Sequence, residues 1–401
     1  MKQKELRLHI LDVGHGDSII IEFPDGVSYG IVDCNLHQPS NRGFGLDFDK
    51  KEPKALCFFA RITDTGRNPN IAFVCLTHPH IDHYRGFARL LDGLRELNIP
   101  IREYWDFGLS REKALALYDL AVDDYLAEVA KEFYQLQETR LLLSRQGTSL
   151  RHLNTPAERF WAGQEVTIDV LAPFTEQYEK YSVYNSCSPR DKQRFLRNVR
   201  AKGCSFDSTL PCSCPADDNI VSSCLLLKYG NFRALLGADL PNCSWRGVIA
   251  RSKPSPRSHV LKVSHHGSLE GNFPSKTKPL WPFVSIPDSP LITVISGGYR
   301  QNLPHGRIID SLHDSKCRVY CTGPAITLGF NRYRPSDASN ELLDSHLKHI
   351  LFVEKQPENQ TQENSETWSG RGDICIVGSY DGSAEVRTEF PLGRRVGRQI
   401  L

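Results

Sequence analysis

Thr77-His78-Pro79-His80-Ile81-Asp82-His83 closes a short apolar run, Ile71 to Leu76, and packs three imidazoles and a carboxylate into six residues. Two imidazoles spaced i, i+2 at a strand end can face one cation. The Asp-His pair that follows, on a turn entering a helix expected over His83–Leu94, can hold a second cation beside the first. A loop of surface histidines is the plain alternative, and the ligand reading is preferred. Two further segments share the design. Leu235-Leu236-Gly237-Ala238-Asp239 ends a buried strand on a carboxylate, and Val260-Leu261-Lys262-Val263-Ser264-His265-His266-Gly267-Ser268 ends another on paired imidazoles. Strand ends at one sheet edge are where α/β architectures collect their ligands. Together they supply the nitrogen and oxygen donors that Zn²⁺ or Mn²⁺ accepts, with no Cys among them.

The rest of the composition describes an ordinary globular chain. Its 401 residues are 40% hydrophobic and 24% charged, enough apolar surface for a sizeable core. A formal charge of +2 rules out a global field that would favour nucleic acid or membrane, so any basic surface is local. No apolar run reaches bilayer length, and Met1-Lys2-Gln3-Lys4-Glu5 lacks the apolar core of a signal peptide, which predicts a cytoplasmic protein without membrane contact. Of the 12 cysteines, Cys57, Cys75, Cys224 and Cys321 lie in apolar segments where a reduced thiol packs as a small hydrophobe. Cys187, Cys204, Cys212 and Cys214 fall in a polar loop with only one close pair; free thiols are expected there, with a structural zinc as the alternative.

Strands and helices alternate along the chain. Strands are expected at Leu6–Val13, Ser18–Phe23, Tyr29–Cys34 and Ile71–Leu76, with a helix at Lys54–Asp64. Residues 110–150 read as a helical insertion, Ser110–Leu143, whose Leu126, Val129, Ala130, Phe133 and Leu136 recur at helical spacing; that stripe is read as core contact rather than a partner surface. Strands resume at Val166–Leu171, Val221–Tyr229, Phe232–Leu236, Val260–Ser264, Ile292–Ser296 and Arg318–Cys321. Residues 176–218 form a polar, Cys-containing insertion without periodicity. Within it Arg190, Lys192, Arg194, Arg197, Arg200 and Lys202, interleaved with Phe195, could track a phosphate backbone or simply face solvent. Residues 1–330 are thus expected to form the core and 331–401 a C-terminal extension. That extension would hold a disordered stretch near 354–371 and a closing β-hairpin over 373–390.

With these segments in order, the chain resembles the metallo-β-lactamase superfamily. Within it, the chain resembles the soluble hydrolase domain of ComEC-type competence proteins and the related choline-phosphate esterases. The resemblance rests on Leu11-Asp12-Val13-Gly14-His15-Gly16-Asp17-Ser18, Ile31-Val32-Asp33, the histidine cluster, Gly237-Ala238-Asp239 and His265-His266-Gly267-Ser268. It extends through Ser296-Gly297-Gly298, Asn302-Leu303-Pro304-His305-Gly306 and Arg318-Val319-Tyr320, covering residues 6 to about 330. It implies an α/β fold, the four-layer αββα sandwich of that superfamily with helical and polar insertions.

The resemblance also implies two divalent ions, Zn²⁺ or Mn²⁺. His78 and His80 would hold the first, Asp82 and His83 the second, and Asp239 would bridge them. One of His265 and His266 would complete the ligand set of the second ion, His265 being preferred, while its neighbour touches the substrate's phosphate. Asp33 would orient the histidine loop from behind. Asp17 is read as stabilising its own glycine-bracketed turn. Asp82, His266 and His305 are the expected catalytic groups, although His305 reads equally well as a helix-entry residue. One departure matters: where many relatives carry a further histidine this chain has Ala172, so the first ion would be partly coordinated and partly occupied. That gap favours phosphodiester over β-lactam chemistry.

The expected activity is therefore hydrolysis of a phosphodiester by metal-activated water, with DNA or RNA as the first substrate to consider. A small ester, such as a nucleotide or choline-phosphate ester, is the second reading. The third is a non-catalytic subunit of a larger assembly. A protein partner in a defence or nucleic-acid-processing system is an expectation from the resemblance alone.

Overall fold

The strand Cys224–Tyr229 shows how the layers arise. Leu225 and Leu227 point into one apolar cluster and Leu226 into another, as the two-residue period of a strand dictates. A strand buried on both faces belongs inside a sandwich. The computed structural model describes residues 4–36, 52–108, 124–186, 218–252, 255–274, 278–287, 289, 291–296, 303–322 and 373–389.

Among them are β1 (Glu5–Ile10), β2 (Ser18–Glu22), β3 (Ser28–Cys34), β4 (Asn70–Cys75), β5 (Ile101–Asp106) and β6 (Ser149–His152). These join the late hairpin β14 (Asp373–Ser379) and β15 (Ala384–Glu389) in one sheet of order β15-β14-β1-β2-β3-β4-β5-β6. The second sheet holds β7 (Ala157–Gly163), β8 (Val166–Ala172), β9 (Cys224–Tyr229), β10 (Phe232–Leu236), β11 (Val260–Lys262), β12 (Ile292–Ile295) and β13 (Arg318–Cys321). Its order is β13-β12-β11-β10-β9-β8-β7.

Three apolar clusters separate four layers. Leu6, Leu8, Ile21, Phe73 and Trp105 of the first sheet meet Leu225, Leu227, Phe232, Leu236 and Val294 of the second. Helices α1 (Lys54–Asp64), α2 (Ile81–Tyr84), α3 (Phe87–Glu96) and α4 (Asp124–Arg145) lie on the outer side of the first sheet. There Phe59, Leu90, Leu94 and Leu136 pack on Ile31, Val74 and Tyr104. Helices α5 (Thr175–Ser186), α6 (Asn242–Arg251) and α7 (Gly306–Asp314) follow in the second half. From α6 and α7, Trp245, Ile308 and Leu312 cover Leu226, Leu235 and Leu261 of the second sheet. This is the expected four-layer αββα sandwich.

Several details differ from the sequence reading. The helix expected over His83–Leu94 is two helices, α2 and α3. Gly86 sits at the break, where its amide donates to the Cys34 carbonyl and a Cβ would lie 3.1 Å from that oxygen. The stretch expected to lack periodicity opens with α5, and the strand expected from Val221 begins at Cys224, after a 3-10 turn over Asp218–Val221. Strands β5, β6 and β7 were not expected; β6 begins at the end of the supposed helical insertion and pairs with β5. Of the stripe on α4, Phe133 and Leu136 serve as core, joined by Leu143; the side chains of Leu126, Val129 and Ala130 lie outside the described residues. Residues 110–123, the basic run 190–202, Cys187, Cys204, Cys212, Cys214 and the 354–371 stretch lie outside the described residues.

The late hairpin is built into the first sheet, since β14 pairs antiparallel with β1 from Glu5↔Ser379 to Ile10↔Ile374. It also touches the second sheet: a Cβ on Gly378 would lie 2.6 Å from the Phe232 ring. Substituting Gly378→Ala should therefore overpack the inter-sheet core and cost about 1–3 kcal/mol, read as a lower urea midpoint. An unchanged midpoint would contradict this docking.

Candidate metal centre

Parallel strands bring the chemistry to one rim. β3 and β4 run parallel, as do β10, β11 and β12, and each group releases its site residues at carboxyl ends. From the first sheet come Asp33 and the loop Thr77–His83; from the second come Asp239, His265, His266 and Ser296. The loops are laced together by their backbones. The Asp17 amide donates to the Asp82 carbonyl, the Asn35 amide to the Asp17 carbonyl, and the Asn35 side chain to the His15 carbonyl at 2.6 Å. Gly16 permits this closeness: its φ is +123°, and a Cβ there would lie 2.2 Å from the Asp82 carbonyl oxygen.

Two ligand clusters share one carboxylate. Asp82, His83, Asp239 and His266 form the larger, and His78, His80 and Asp239 the smaller; within each, the ligand atoms lie within 4.8 Å of one another. The Asp239 carboxylate is 3.4 Å from His83 Nε2 and 3.6 Å from both His78 Nε2 and His266 Nε2, and Asp82 is 3.2 Å from His266 Nε2. Most of these spacings exceed a good hydrogen bond. They match the separation of about 3.3–3.6 Å expected between donors on a tetrahedral ion with bonds of about 2.0–2.2 Å.

Second partners fix which nitrogen each ring presents. His83 Nδ1–H donates to Asp33 Oδ2 at 2.7 Å, and His266 Nδ1–H donates to the Ser296 carbonyl at 2.8 Å. Thr77 spends its own proton on Asp33, so its oxygen accepts from His78 Nδ1–H at 3.0 Å. All three rings then turn an Nε2 lone pair inward. His78 Nε2, His83 Nε2, His266 Nε2 and Asp239 Oδ1 are buried without a hydrogen-bond partner. Buried polar atoms are rarely left so. Four that converge fit a pair of cations, and the donor set suits Zn²⁺ or Mn²⁺.

The electrostatics agree. Burial opposes charge on His83, yet the Asp239, Asp33 and Asp82 carboxylates push its pKa well above the ordinary value. Burial likewise opposes charge on Asp82 and Asp239; for Asp82 His83 then His266, for Asp239 His266 then His83, drive the pKa well below the usual range. Such a field calls for positive charge at its centre. His80, at the other end, is lowered to about 4 by burial and by His78.

The placement of the expected residues is specific. His78, His80, Asp82, His83 and Asp239 come together, and Asp33 stands behind Thr77 and His83. His266, expected to be catalytic, lies in the larger cluster; His265, preferred as the ligand, does not. His265 is 22% exposed with Nε2 3.8 Å from Asp239, at the mouth. The reason is local: both histidines are left-handed, at φ +48° and +51°, so strand alternation does not carry past Val263. Asp33 and Ala238 share that conformation at +56° and +42°. For non-glycine residues it costs about 1–3 kcal/mol each and clusters at functional sites. His305 is in neither cluster among the described residues. Its Nδ1 accepts from the Arg307 amide at 3.2 Å, the helix-entry role.

Three participants were missed. His15 places Nε2 3.3 Å from Asp82 and its ring 4.4 Å from that of His266. Burial and His266 lower its pKa to about 4. Lys262 is fully buried, with Nζ 2.6 Å from Asp17, and Ser296 Oγ donates to the same carboxylate. Asp17 thus reaches across to the second sheet instead of closing its own turn. A lysine inside an apolar strand was the available signal, since lysines are seldom fully buried unless paired.

No protein-family model matches this chain, and no curated protein is significantly similar to it in sequence. Among solved structures it is similar to CmlA, a diiron beta-hydroxylase from Streptomyces venezuelae, at 12% identity and TM-score 0.40, over 80% of this chain and 53% of that one. The chain thus spans about half the length of that protein. It is also similar to Zn²⁺-bound PqqB from Methylobacterium extorquens, at 11% identity and TM-score 0.31, over 77% and 85% of the two chains. Similarities of this size add nothing to the site, which stands on its own residues. Fold and site together define an αββα sandwich with a candidate two-cation centre at the rim.

Replacing His266 with Ala should weaken binding of one ion by more than the about 10–100-fold typical of losing an outer partner. His265→Ala should leave two ions bound. Chelator competition after gel filtration reads both, and the opposite ranking would reverse the assignment.

Proposed function

We propose that this chain is a metal-dependent hydrolase of phosphodiesters, with nucleic acid as its first candidate substrate. The reading is carried by the two clusters that share Asp239 and turn partnerless Nε2 atoms toward it from two sides. Divalent ions held there would lower the pKa of a water toward neutrality and offset charge on the non-bridging phosphoryl oxygens. The chain's own residues supply the rest. Asp33, Thr77 and Ser296 hold the ligand rings in one tautomer and orientation, so no reorganisation is needed during turnover. His265, partly exposed beside Asp239, would contact a phosphate oxygen, and His15 stands beside Asp82. Of the two, His265 would be the one to hand a proton to the leaving oxygen, because His15 is held neutral by burial and by His266.

The choice of phosphodiester draws on composition at the first cluster. Ala172 is buried on β8, at the position where the resemblance expects a further histidine, and among the described residues His78, His80 and Asp239 form the cluster on that side. Open positions suit a substrate that presents two oxygens. The competence-type resemblance favours a polymer. The small-ester reading expects the helical insertion to lid the pocket, whereas in α4 Phe133, Leu136 and Leu143 are committed to the core. No helix among the described residues is long and apolar enough to cross a membrane.

Incubation with Mn²⁺ or Zn²⁺ and single-stranded DNA, duplex DNA, RNA or bis-p-nitrophenyl phosphate tests the reading. Ion-dependent shortening of a polymer, lost in Asp239→Asn, is the expected result. Turnover of the small ester with every polymer intact would overturn the nuclease reading and keep the diesterase. No turnover of any substrate, with two ions bound, would overturn both.

A further inference from the structure

The second sheet carries a charged residue where its pattern calls for an apolar one. Along β11, Val260 faces the inter-sheet core and Leu261 the outer helices, so Lys262 falls on the inner side. It is fully buried there and meets Asp17, the residue just before β2 of the other sheet, with Nζ to Oδ2 at 2.6 Å. Asp17 is also buried. Its other oxygen accepts from Ser296 Oγ, and that hydroxyl oxygen in turn lies 3.2 Å from His266 Nδ1. Asp17 Oδ1 itself is 3.8 Å from the same nitrogen. One line of contacts thus runs Lys262, Asp17, Ser296, His266, and it crosses from one sheet to the other and back.

The arrangement parallels the support of His83. There a buried carboxylate, Asp33, touches the ring directly; here one reaches the ring through a serine. Asp17, Asp33 and His83 offer ligand-type atoms within 4.8 Å of one another, so the two supporting carboxylates sit side by side beneath the second cluster. Two adjacent buried anions need a counter-charge, and Lys262 supplies it. Without it Asp17 would be an uncompensated charge in the closed rim.

We propose that Lys262 and Asp17 are positioning residues that, through Ser296, hold His266 for the second cation and tie its binding to closure of the two sheets. The proposal rests on the two-cation reading of the clusters and is independent of which ester is cleaved. It separates the two ions: the line ends on His266 and not on His78 or His80. The pair is therefore expected to tune the second site and leave the first alone.

The test is calorimetric titration of Mn²⁺ into the full chain after chelator treatment, with bound metal counted independently. The wild type is expected to bind two ions. Lys262→Met alone would strand a buried charge, so the informative variants are Asp17→Asn/Lys262→Met, which removes both charges, and Ser296→Ala, which removes one hydroxyl. Both should fold, bind the first ion as the wild type does, and bind the second more weakly, by about 10–100-fold, with Ser296→Ala at the low end because the Ser296 main-chain carbonyl still accepts from His266 Nδ1–H. If either folded variant lowers the melting temperature but keeps both affinities, or weakens both equally, the pair is structural only and the proposal is overturned. Should the double variant fail to fold, Ser296→Ala decides. A wild type that binds fewer than two ions would instead overturn the two-cation reading itself.

Discussion

The structure depends on a crowd of buried acids and bases that cannot satisfy one another. Asp17, Asp33, Asp239, His78, His83 and His266 are all removed from water within one rim. Each carboxylate taken from solvent carries a penalty of several kcal/mol unless opposite charge or donors meet it. Outer partners meet part of that need: Thr77 and His83 on Asp33, Lys262 and Ser296 on Asp17. The inner atoms, Asp239 Oδ1 and three Nε2 nitrogens, are left facing each other. Cations are the chemistry that resolves this, and everything else at the rim serves to hold those atoms still.

The sandwich makes such a concentration affordable in conformational terms. Ligands arrive on the ends of rigid strands, whose cores on both sides are filled by large side chains such as Trp105, Trp245 and Trp281. Only the last few residues deviate. Asp33, Ala238, His265 and His266 adopt left-handed backbone, and Gly16 lets the first loop lie against Asp82. Strain of this kind persists where surrounding packing over-determines it. Here the helices on either outer face and the late hairpin on β1 provide that packing.

Much of this was legible from residues alone. The histidine loop, Asp239 and the double histidine each terminate an apolar run, and runs of that length mark buried strands. The edges of legibility have physical causes. β5 and β7 escaped because Ile101-Arg102-Glu103 and Ala157-Glu158-Arg159 carry charges that blunt the apolar pattern, as near-edge strands allow. The choice between His265 and His266 depends on backbone that has left the strand, so periodicity has no purchase on it. Lys262 was visible as an oddity, yet its partner stands 245 residues away. No local pattern links Asp17 to Ser296 either; only closure of two sheets does.

Anomalous diffraction from crystals grown with Mn²⁺ addresses the central claim most directly. The account predicts two peaks, one on each side of Asp239: the first against His78 and His80, the second against Asp82, His83 and His266. A rim without anomalous signal at saturating Mn²⁺, or ions bound elsewhere while Asp239 stays bare, would contradict it.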